Sequence, residues 1–301
     1  MNPWPFAAAA PGSQPPAAGA RRWRWSLRGG RRLEFGGRLA IMGIVNVTPD
    51  SFADGGRCFD RAAAVEHGLR LAREGADIVD VGGQSTRPGS AEISPQEEMD
   101  RVVPVIAGLR AASPVAISVD TYRAAVARSA LAAGADVVND ISAFRFDPEM
   151  LGLLAETGAG AVAMHIQGTP RDMQRHPHYD SVVREVRDHL GEALGRAERA
   201  GVGRERVAVD PGIGFGKTVE HNLELLRHLA ELRKLGCPVA VGASRKSFIG
   251  KVLGLANPRE RLEGTLAVTA LAVAAGADII RVHEVTANLR SARMAEAVVG
   301  R

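Results

Sequence analysis

The sequence predicts a (β/α)₈ barrel, and three observations support this fold class. Four segments repeat one pattern, in which an amphipathic helix ends at a glycine and an apolar strand follows; they are 71–83, 131–140, 155–165 and 272–284. The same helix-then-strand unit recurs along the chain until eight strands are found. These strands are apolar on both faces, which is typical of a parallel sheet covered by helices.

The predicted strands and helices alternate in order along the chain. The strands are 39–46, 76–83, 115–120, 135–140, 160–165, 206–210, 238–244 and 278–283, and the helices are 61–74, 95–111, 123–133, 148–156, 180–200, 219–235, 260–275 and 286–299. An open, doubly wound sheet is the structural alternative. It would more often carry a GxGxxG turn after its first strand, and the segment 43–46, Gly-Ile-Val-Asn, offers none.

Three regions of different character make up the chain of 301 residues. Residues 1–20 are rich in Ala, Pro and Gly, which predicts a disordered tail. Residues 21–38 alternate around Gly29 and Gly30 and predict a β-hairpin that closes the barrel floor. Residues 39–301 form the barrel domain, whose length of roughly 260 residues is usual for this fold.

Composition excludes several classes of protein. The net charge of +4 is local, because residues 1–33 hold six arginines and no acid, leaving 32 basic against 34 acidic residues elsewhere. A nucleic-acid surface is therefore not expected. The longest apolar stretch, 266–280, is too short and too polar to span a membrane. Cys58 and Cys237 are far apart and indicate neither a zinc site nor a disulfide framework, which favours a cytoplasmic protein.

Polar side chains stand at the ends of nearly all the predicted strands. They are Asn46, Gln84, Asp120, Asn139, Asp140, His165, Asp210, Ser244, Arg245, Lys246, Arg281 and His283. One strand-end Asp or Asn alone is more often a helix cap or a turn residue. Helix capping and turn formation do not readily explain the whole set, because the strands that precede these residues contain almost no polar residues. Because the carboxyl ends of barrel strands meet at one mouth, these residues predict a catalytic site there.

The residue types in this set indicate a ligand. Asp120, Asn139 and Asp210 offer acceptors and an amide donor, and Lys246 adds a donor and a cation, a combination suited to a flat heterocycle with an amidine-like edge. Arg281 and His283 alternate around Val282, so they face the same side and suit a phosphate. Asn46 is a candidate ligand of Mg²⁺, which takes few protein ligands beside substrate phosphates.

The segment 209–218, VDPGIGFGKT, has the appearance of a nucleotide-binding P-loop. Pro211 stands where that motif needs its first glycine, and proline has no N–H to donate to phosphate. The segment is therefore not expected to bind a nucleotide. We expect Lys217 to be a solvated residue at the start of a helix.

A series of motifs resembles the signatures of the dihydropteroate synthase family. The motifs are GIVNVTPDSFADGG (43–56), DVGGQSTRPG (80–89), SVDTYR (118–123), VNDIS (138–142), MHIQGTPRDMQ (164–174), VDPGIGFGKT (209–218), ASRKSFIG (243–250) and RVHEV (281–285), and the resemblance covers residues 33 to 300. It implies condensation of 6-hydroxymethyl-7,8-dihydropterin diphosphate with para-aminobenzoate, with release of pyrophosphate. It also implies a homodimer and a target of the sulfonamide class, whose members mimic para-aminobenzoate.

The resemblance assigns roles to matching positions. It implies that Asp120, Asn139, Asp210 and Lys246 hold the pterin, that Thr86, Arg281 and His283 complete the pterin diphosphate site, and that Asp120, Lys246, Arg281 and His283 carry the catalysis. Asn46 is the expected Mg²⁺ ligand, with Asp54 acting through water. Phe52, Thr86, Arg87, Pro88, Phe215 and Ser247 are expected to border para-aminobenzoate.

One residue departs from the family pattern, and two rival functions remain open at this stage. Gln84 stands where the family commonly carries Glu. A pterin-binding methyltransferase domain would share the pterin-reading acids but would have no use for the anion site formed by Arg281 and His283. A non-catalytic pterin-binding paralogue is the other alternative; four residues argue against it, namely Asn46, Lys246, Arg281 and His283.

Overall fold

A computed structural model describes residues 23–36, 38–48, 61–86 and 89–300. It begins with the antiparallel hairpin of β1 (Trp23–Ser26) and β2 (Arg32–Phe35), in which Trp23 lies opposite Phe35. The predicted hairpin is therefore confirmed. The other eight strands form one parallel sheet: β3 (Ala40–Asn46), β4 (Ile78–Gly82), β5 (Ala116–Asp120), β6 (Val137–Asp140), β7 (Gly160–Met164), β8 (Val207–Asp210), β9 (Ala240–Val241) and β10 (Ile279–Val282).

The eight strands close into a barrel. The order in the sheet runs from β8 back through β7, β6, β5, β4 and β3 to β10 and then β9. A parallel bridge between Val209 and Val239 joins β8 to the segment before β9 and completes the ring. The predicted (β/α)₈ architecture is thus confirmed, and the strand boundaries agree with the prediction to within a few residues.

Helices cover the outside of the barrel. In the part of the chain that the structure describes they are α1 (Arg61–Arg73), α2 (Pro95–Ala112), α3 (Ala124–Ala132), α4 (Met150–Thr157), α5 (Val182–Arg199), α6 (Val219–Arg227), α7 (Ser247–Leu253), α8 (Leu262–Ala274) and α9 (Val285–Val299). The predicted helix 219–235 divides into α6 and a 3₁₀ helix, Leu229–Leu235. The short α7 is a helix that the sequence patterns did not predict.

Alternation along each strand separates two apolar layers. Ile41 and Val79 point outward and pack under the helices, while Met42 and Ile78 point into the barrel. The hairpin contributes Trp25, which is fully buried against the inward layer and donates from Nε1 to the carbonyl of Arg206 at 2.9 Å. The hairpin therefore closes the amino-terminal end of the barrel, and the opposite end remains for a site.

No helix within the described residues is both long enough and apolar enough to cross a bilayer.

Candidate active site at the carboxyl ends of the strands

Side chains along each strand point alternately into the barrel and outward, and this alternation determines which polar side chains reach the mouth of the barrel. Asp120 has the same phase as the inward Ala116, and Asp210 the same phase as Ala208. Arg281 shares the phase of Ile279 in the same way. These side chains therefore rise from the interior of the barrel toward the carboxyl ends of the strands, and the structure brings them together as the sequence predicted.

Arg281 is held by two carboxylates. Its Nε donates to Oδ2 of Asp80 at 2.6 Å, and its Nη2 donates to Oδ2 of Asp120 at 2.7 Å. Asn139 donates from Nδ2 to the same Asp80 oxygen at 3.1 Å. These contacts fix the plane of the guanidinium and the orientation of the Asn139 amide.

Asp80 is a site residue that the sequence analysis missed. It is fully buried in the middle of β4 and links Arg281 to Asn139. A signal was present, because Asp80 is an acid flanked by Val79 and Val81 in an otherwise apolar strand. A charge in such a position is rare unless it is paired.

Burial and charge shift the pKa values of this cluster. Burial raises the pKa of Asp120 to about 7, with Arg281 opposing the shift and Asp80 adding to it. Burial tends to lower the pKa of Arg281, but Asp80 and Asp120 outweigh it and raise that pKa above its ordinary value. Arg281 is therefore always charged, while Asp120 titrates near neutral pH.

Asp210 and Lys246 form the other side of the site. Asp210 is buried, and its Oδ1 accepts a hydrogen bond from the backbone N–H of Gly212 at 2.7 Å. Burial raises the pKa of Asp210, with the Lys246 charge opposing. Burial lowers the pKa of Lys246 to about 8, with Asp210 opposing. The Lys246 ammonium donates to the carbonyl of Ile213 and lies 4.6 Å from the centroid of the Phe215 ring.

Gly212 lets the chain turn immediately after Asp210. Its φ of +66° lies in the left-handed region, and a Cβ at this position would lie 1.8 Å from the carbonyl oxygen of His165. Only glycine can occupy this position. The resemblance to a P-loop thus has a different cause, since the glycines bend a loop that brings Phe215 against Lys246.

His283 and Asn46 lie at the ends of adjacent strands, β10 and β3. The Nδ1 atom of His283 and the Ser244 hydroxyl are 2.9 Å apart, and this contact fixes the imidazole ring. Asn46 is half-buried and continues the inward phase of Met42. Within the described ranges no group of three or more His, Cys, Asp or Glu is arranged to hold a metal ion.

Some residues assigned by resemblance cannot be placed. Phe52, Asp54, Arg87 and Pro88 lie outside the described residues. Thr86 is half-buried just after β4, and Ser247 is exposed at the first position of α7.

Two of the strand-end residues point away from the mouth. Asp140 has the outward phase, and its Oδ1 accepts from the N–H and the hydroxyl of Ser142, both at 2.7 Å, so it fixes a turn. His165 also lies behind the barrel wall, where its ring packs edge-on against His189 of α5 with centroids 4.8 Å apart. Neither side chain joins the cluster around Arg281.

The expectation that Lys217 is solvated is wrong. Only 3% of Lys217 is exposed, and its Nζ contacts Nδ1 of His165 at 2.9 Å and the carbonyl of Phe215 at 3.0 Å. The left-handed Gly216, with φ of +64°, reverses the chain just before Lys217 and turns its side chain inward.

A closed parallel barrel with paired acids and bases at the carboxyl ends of its strands defines a barrel enzyme. Residues 42–283 match the pterin-binding enzyme family. The chain is 47% identical over 266 residues to the dihydropteroate synthase of Synechocystis, covering 88% of this chain and 92% of the relative.

Solved structures agree with this match. The dihydropteroate synthase of Xanthomonas albilineans with 4-aminobenzoic acid superposes with a TM-score of 0.85 at 45% identity, covering 93% of this chain and 98% of that one. The Yersinia pestis enzyme in a sulfonamide complex has a TM-score of 0.86 at 40% identity, covering 92% and 99%. The chain belongs to the pterin-binding enzyme family and, within it, to the dihydropteroate synthases.

Proposed function

We propose that this protein condenses 6-hydroxymethyl-7,8-dihydropterin diphosphate with para-aminobenzoate to give 7,8-dihydropteroate and pyrophosphate. The observation that carries the proposal is the convergence of Asp120, Asn139 and Asp210 beside Arg281 at one barrel mouth. The carboxylates and the amide suit the amino and ring N–H groups of a pterin, and the adjacent cation suits a diphosphate. The family match and the high identity to named synthases support the same activity.

The reaction is a substitution at the pterin methylene, in which the aromatic amine forms a C–N bond and the C–O bond to diphosphate breaks. Negative charge develops on the departing pyrophosphate. Arg281 and His283 are the groups that would stabilise that charge, and both are held in place beforehand, Arg281 by two carboxylates and His283 by Ser244. Preorganised groups of this kind lower the barrier most effectively.

Mg²⁺ is the expected cofactor, and the donors present fit it. The Asn46 carboxamide oxygen is a hard ligand of the kind that Mg²⁺ accepts, and one protein ligand suffices when waters and substrate phosphates complete the shell. When bound, the ion supplies further charge neutralisation to the leaving group. Asp54 is proposed to act on it through water.

The para-aminobenzoate half of the site is proposed to lie against Phe215. The ring of Phe215 is half-buried and stacked under the Lys246 ammonium, which gives the pocket one apolar wall with a cation at its edge. Thr86 and Ser247 are proposed to border the same ligand, together with Phe52, Arg87 and Pro88.

A direct assay tests the proposed function. Purified protein is incubated with pterin diphosphate, para-aminobenzoate and Mg²⁺, and pyrophosphate release is followed together with dihydropteroate. We expect release that depends on para-aminobenzoate. Release without the amine would indicate a hydrolase, and binding of the pterin without any release would indicate the non-catalytic paralogue. The variant Lys234→Met should release pyrophosphate at the same rate as the unmodified protein. Lys234 is an exposed lysine that pairs with Glu231 outside the strand-end cluster.

A homodimer is part of the same proposal. Leu271 of α8 and Met294 and Val298 of α9 are exposed apolar side chains on two helices that pack together, and Val298 is 73% exposed. Burial of such side chains against a second copy would stabilise a dimer. Met294→Lys should therefore shift the sedimentation of the protein toward a monomer, and an unchanged dimer would exclude this face.

A further inference from the structure

The loop that carries Phe215 has four consecutive carbonyl groups, those of residues 213–216, each bound by a different side chain. The carbonyl of Ile213 accepts from Lys246, as described above. Gln174 donates from Nε2 to the carbonyl of Gly214 at 2.7 Å. Lys217 donates to the carbonyl of Phe215 at 3.0 Å, and the Tyr179 hydroxyl donates to the carbonyl of Gly216 at 2.9 Å.

Consecutive carbonyls of an irregular loop are usually bound by water or by their own turn. Here three side chains that the reaction mechanism does not use, Gln174, Lys217 and Tyr179, take that place. Gln174 and Tyr179 come from the segment that follows β7, and Lys217 comes from the end of the loop itself. The loop is therefore held by two side chains of the neighbouring loop after β7 and by Lys217 at its own end. We call these three residues the carbonyl clamp.

Lys217 matches its two partners as a neutral amine. A neutral amine has two N–H donors, and its two partners within reach are the carbonyl of Phe215 and Nδ1 of His165, which accepts when the imidazole proton is on Nε2. Burial and the nearby Lys246 lower the pKa of Lys217, and burial and Lys217 lower the pKa of His165. A third donor of the charged form would need another partner in a buried position. The neutral pair also avoids a second cation beside Lys246.

We propose that the carbonyl clamp of Gln174, Lys217 and Tyr179 positions the Phe215 wall of the para-aminobenzoate half-site. This inference rests on the proposed function, because it assigns the wall to that substrate. The clamp side chains make none of their hydrogen bonds to Asp120, Asn139 or Asp210, and Lys217 acts on Asp210 only through its charge. Loss of the clamp should therefore weaken the binding of the amine and spare the pterin.

The test separates the two substrates. Lys217→Met keeps the length and apolar stem of the side chain but removes both donors. We expect the KM for para-aminobenzoate to rise about tenfold, which corresponds to about 1.4 kcal/mol, while the affinity for pterin diphosphate stays within about twofold. Tyr179→Phe and Gln174→Met each remove one donor and should raise the same KM about threefold. The exposed Lys234→Met is the control and should match the wild type.

A double-mutant cycle distinguishes positioning from a general structural role. In a Phe215→Ala background the wall is absent, so Lys217→Met should cause no further rise in the KM for para-aminobenzoate. Additive losses, or equal losses of pterin affinity, would overturn the proposal. If Lys217→Met fails to fold by its thermal melt, the exposed Gln174→Met decides the question, and an unchanged KM in that variant would overturn the clamp.

The wild type run in parallel tests the function on which the inference rests. Absence of pyrophosphate release by the wild type would refute the proposed function. Normal wild-type turnover with an unchanged KM in the clamp variants would refute the clamp alone.

Discussion

Replacing Asp210 by Asn should weaken pterin binding without weakening the fold. Asp210 uses Oδ1 to accept the Gly212 N–H, and an Asn carboxamide oxygen can accept that bond in the same geometry. The second oxygen, Oδ2, is the one left for the ligand. In the Asn variant an NH₂ group takes the place of Oδ2. Because this group donates hydrogen bonds, it leaves the N–H donors of the pterin without an acceptor.

The loss follows from these contacts. A hydrogen bond to a charged acceptor contributes about 1.5–3 kcal/mol, and an unpaired buried donor adds a penalty of similar size. We expect a loss of about 2–4 kcal/mol, or roughly 30- to 1,000-fold in Kd. Isothermal titration calorimetry with a pterin that lacks phosphate measures this value without interference from the anion site.

The same substitution should weaken pterin binding but should not lower the stability of the fold. Because burial raises the pKa of Asp210, the fold favours its protonated form, and the ionised carboxylate costs stability at every pH above its ordinary pKa. The neutral Asn removes this cost at neutral pH. Lys246 loses an opposing charge, but its pKa is already lowered to about 8, so it can release its proton. The melting temperature should stay or rise. A lower melting temperature together with unchanged pterin affinity would refute the assignment of Asp210 to the ligand.

Three further predictions concern the same site. The kcat/KM for pterin diphosphate should rise through about pH 7, as Asp120 ionises and becomes an acceptor, and fall above about pH 8, as Lys246 loses its charge; an acid limb that persists in Asp120→Asn would contradict this. Arg281→Ala and His283→Ala should reduce diphosphate binding and turnover while sparing the affinity for a pterin without phosphate, and calorimetry with both ligands detects equal losses if these residues only support the fold. A sulfonamide should bind much more tightly when pyrophosphate, Mg²⁺ and a pterin are present, because these ligands fill the adjoining half of the site and favour the state that is competent to bind the drug; identical dissociation constants in titrations with and without pyrophosphate would contradict this prediction.

The fold could be predicted because its signals are local. An apolar strand after a helix-ending glycine, as in 71–83, identifies itself within a dozen residues, and eight such units admit few architectures. The hairpin at Gly29 and Gly30 was also visible in local alternation. Asp120, Asp210 and Arg281 could then be placed together because each stands at the end of a predicted strand, and the carboxyl ends of barrel strands meet at one mouth.

Long-range contacts carried the information that the sequence patterns lacked. Asp80 lies 201 residues from Arg281 in the chain, and only closure of the barrel brings the two together. Lys217 follows a glycine-rich turn, which predicted exposure, but the reversal at Gly216 buries it against His165, 52 residues away. The short α7 lacked a full amphipathic repeat, since seven residues give fewer than two complete turns.

The pairing of Arg281 with two acids explains why the site suits a ligand with both a pterin ring and a diphosphate. Asp120 accepts from Nη2 of Arg281, so a pterin that donates hydrogen bonds to Asp120 would compete for its charge and leave the guanidinium less compensated. A guanidinium with one of its two counter-charges weakened attracts phosphate more strongly, while Asp80 still holds its orientation through Nε. The negative charge of the diphosphate would then compensate the part of the Arg281 charge that Asp120 no longer neutralises. Under the proposed assignment each half of the substrate would thus improve the site for the other, and a ligand that offers only one half would leave part of this buried network unbalanced.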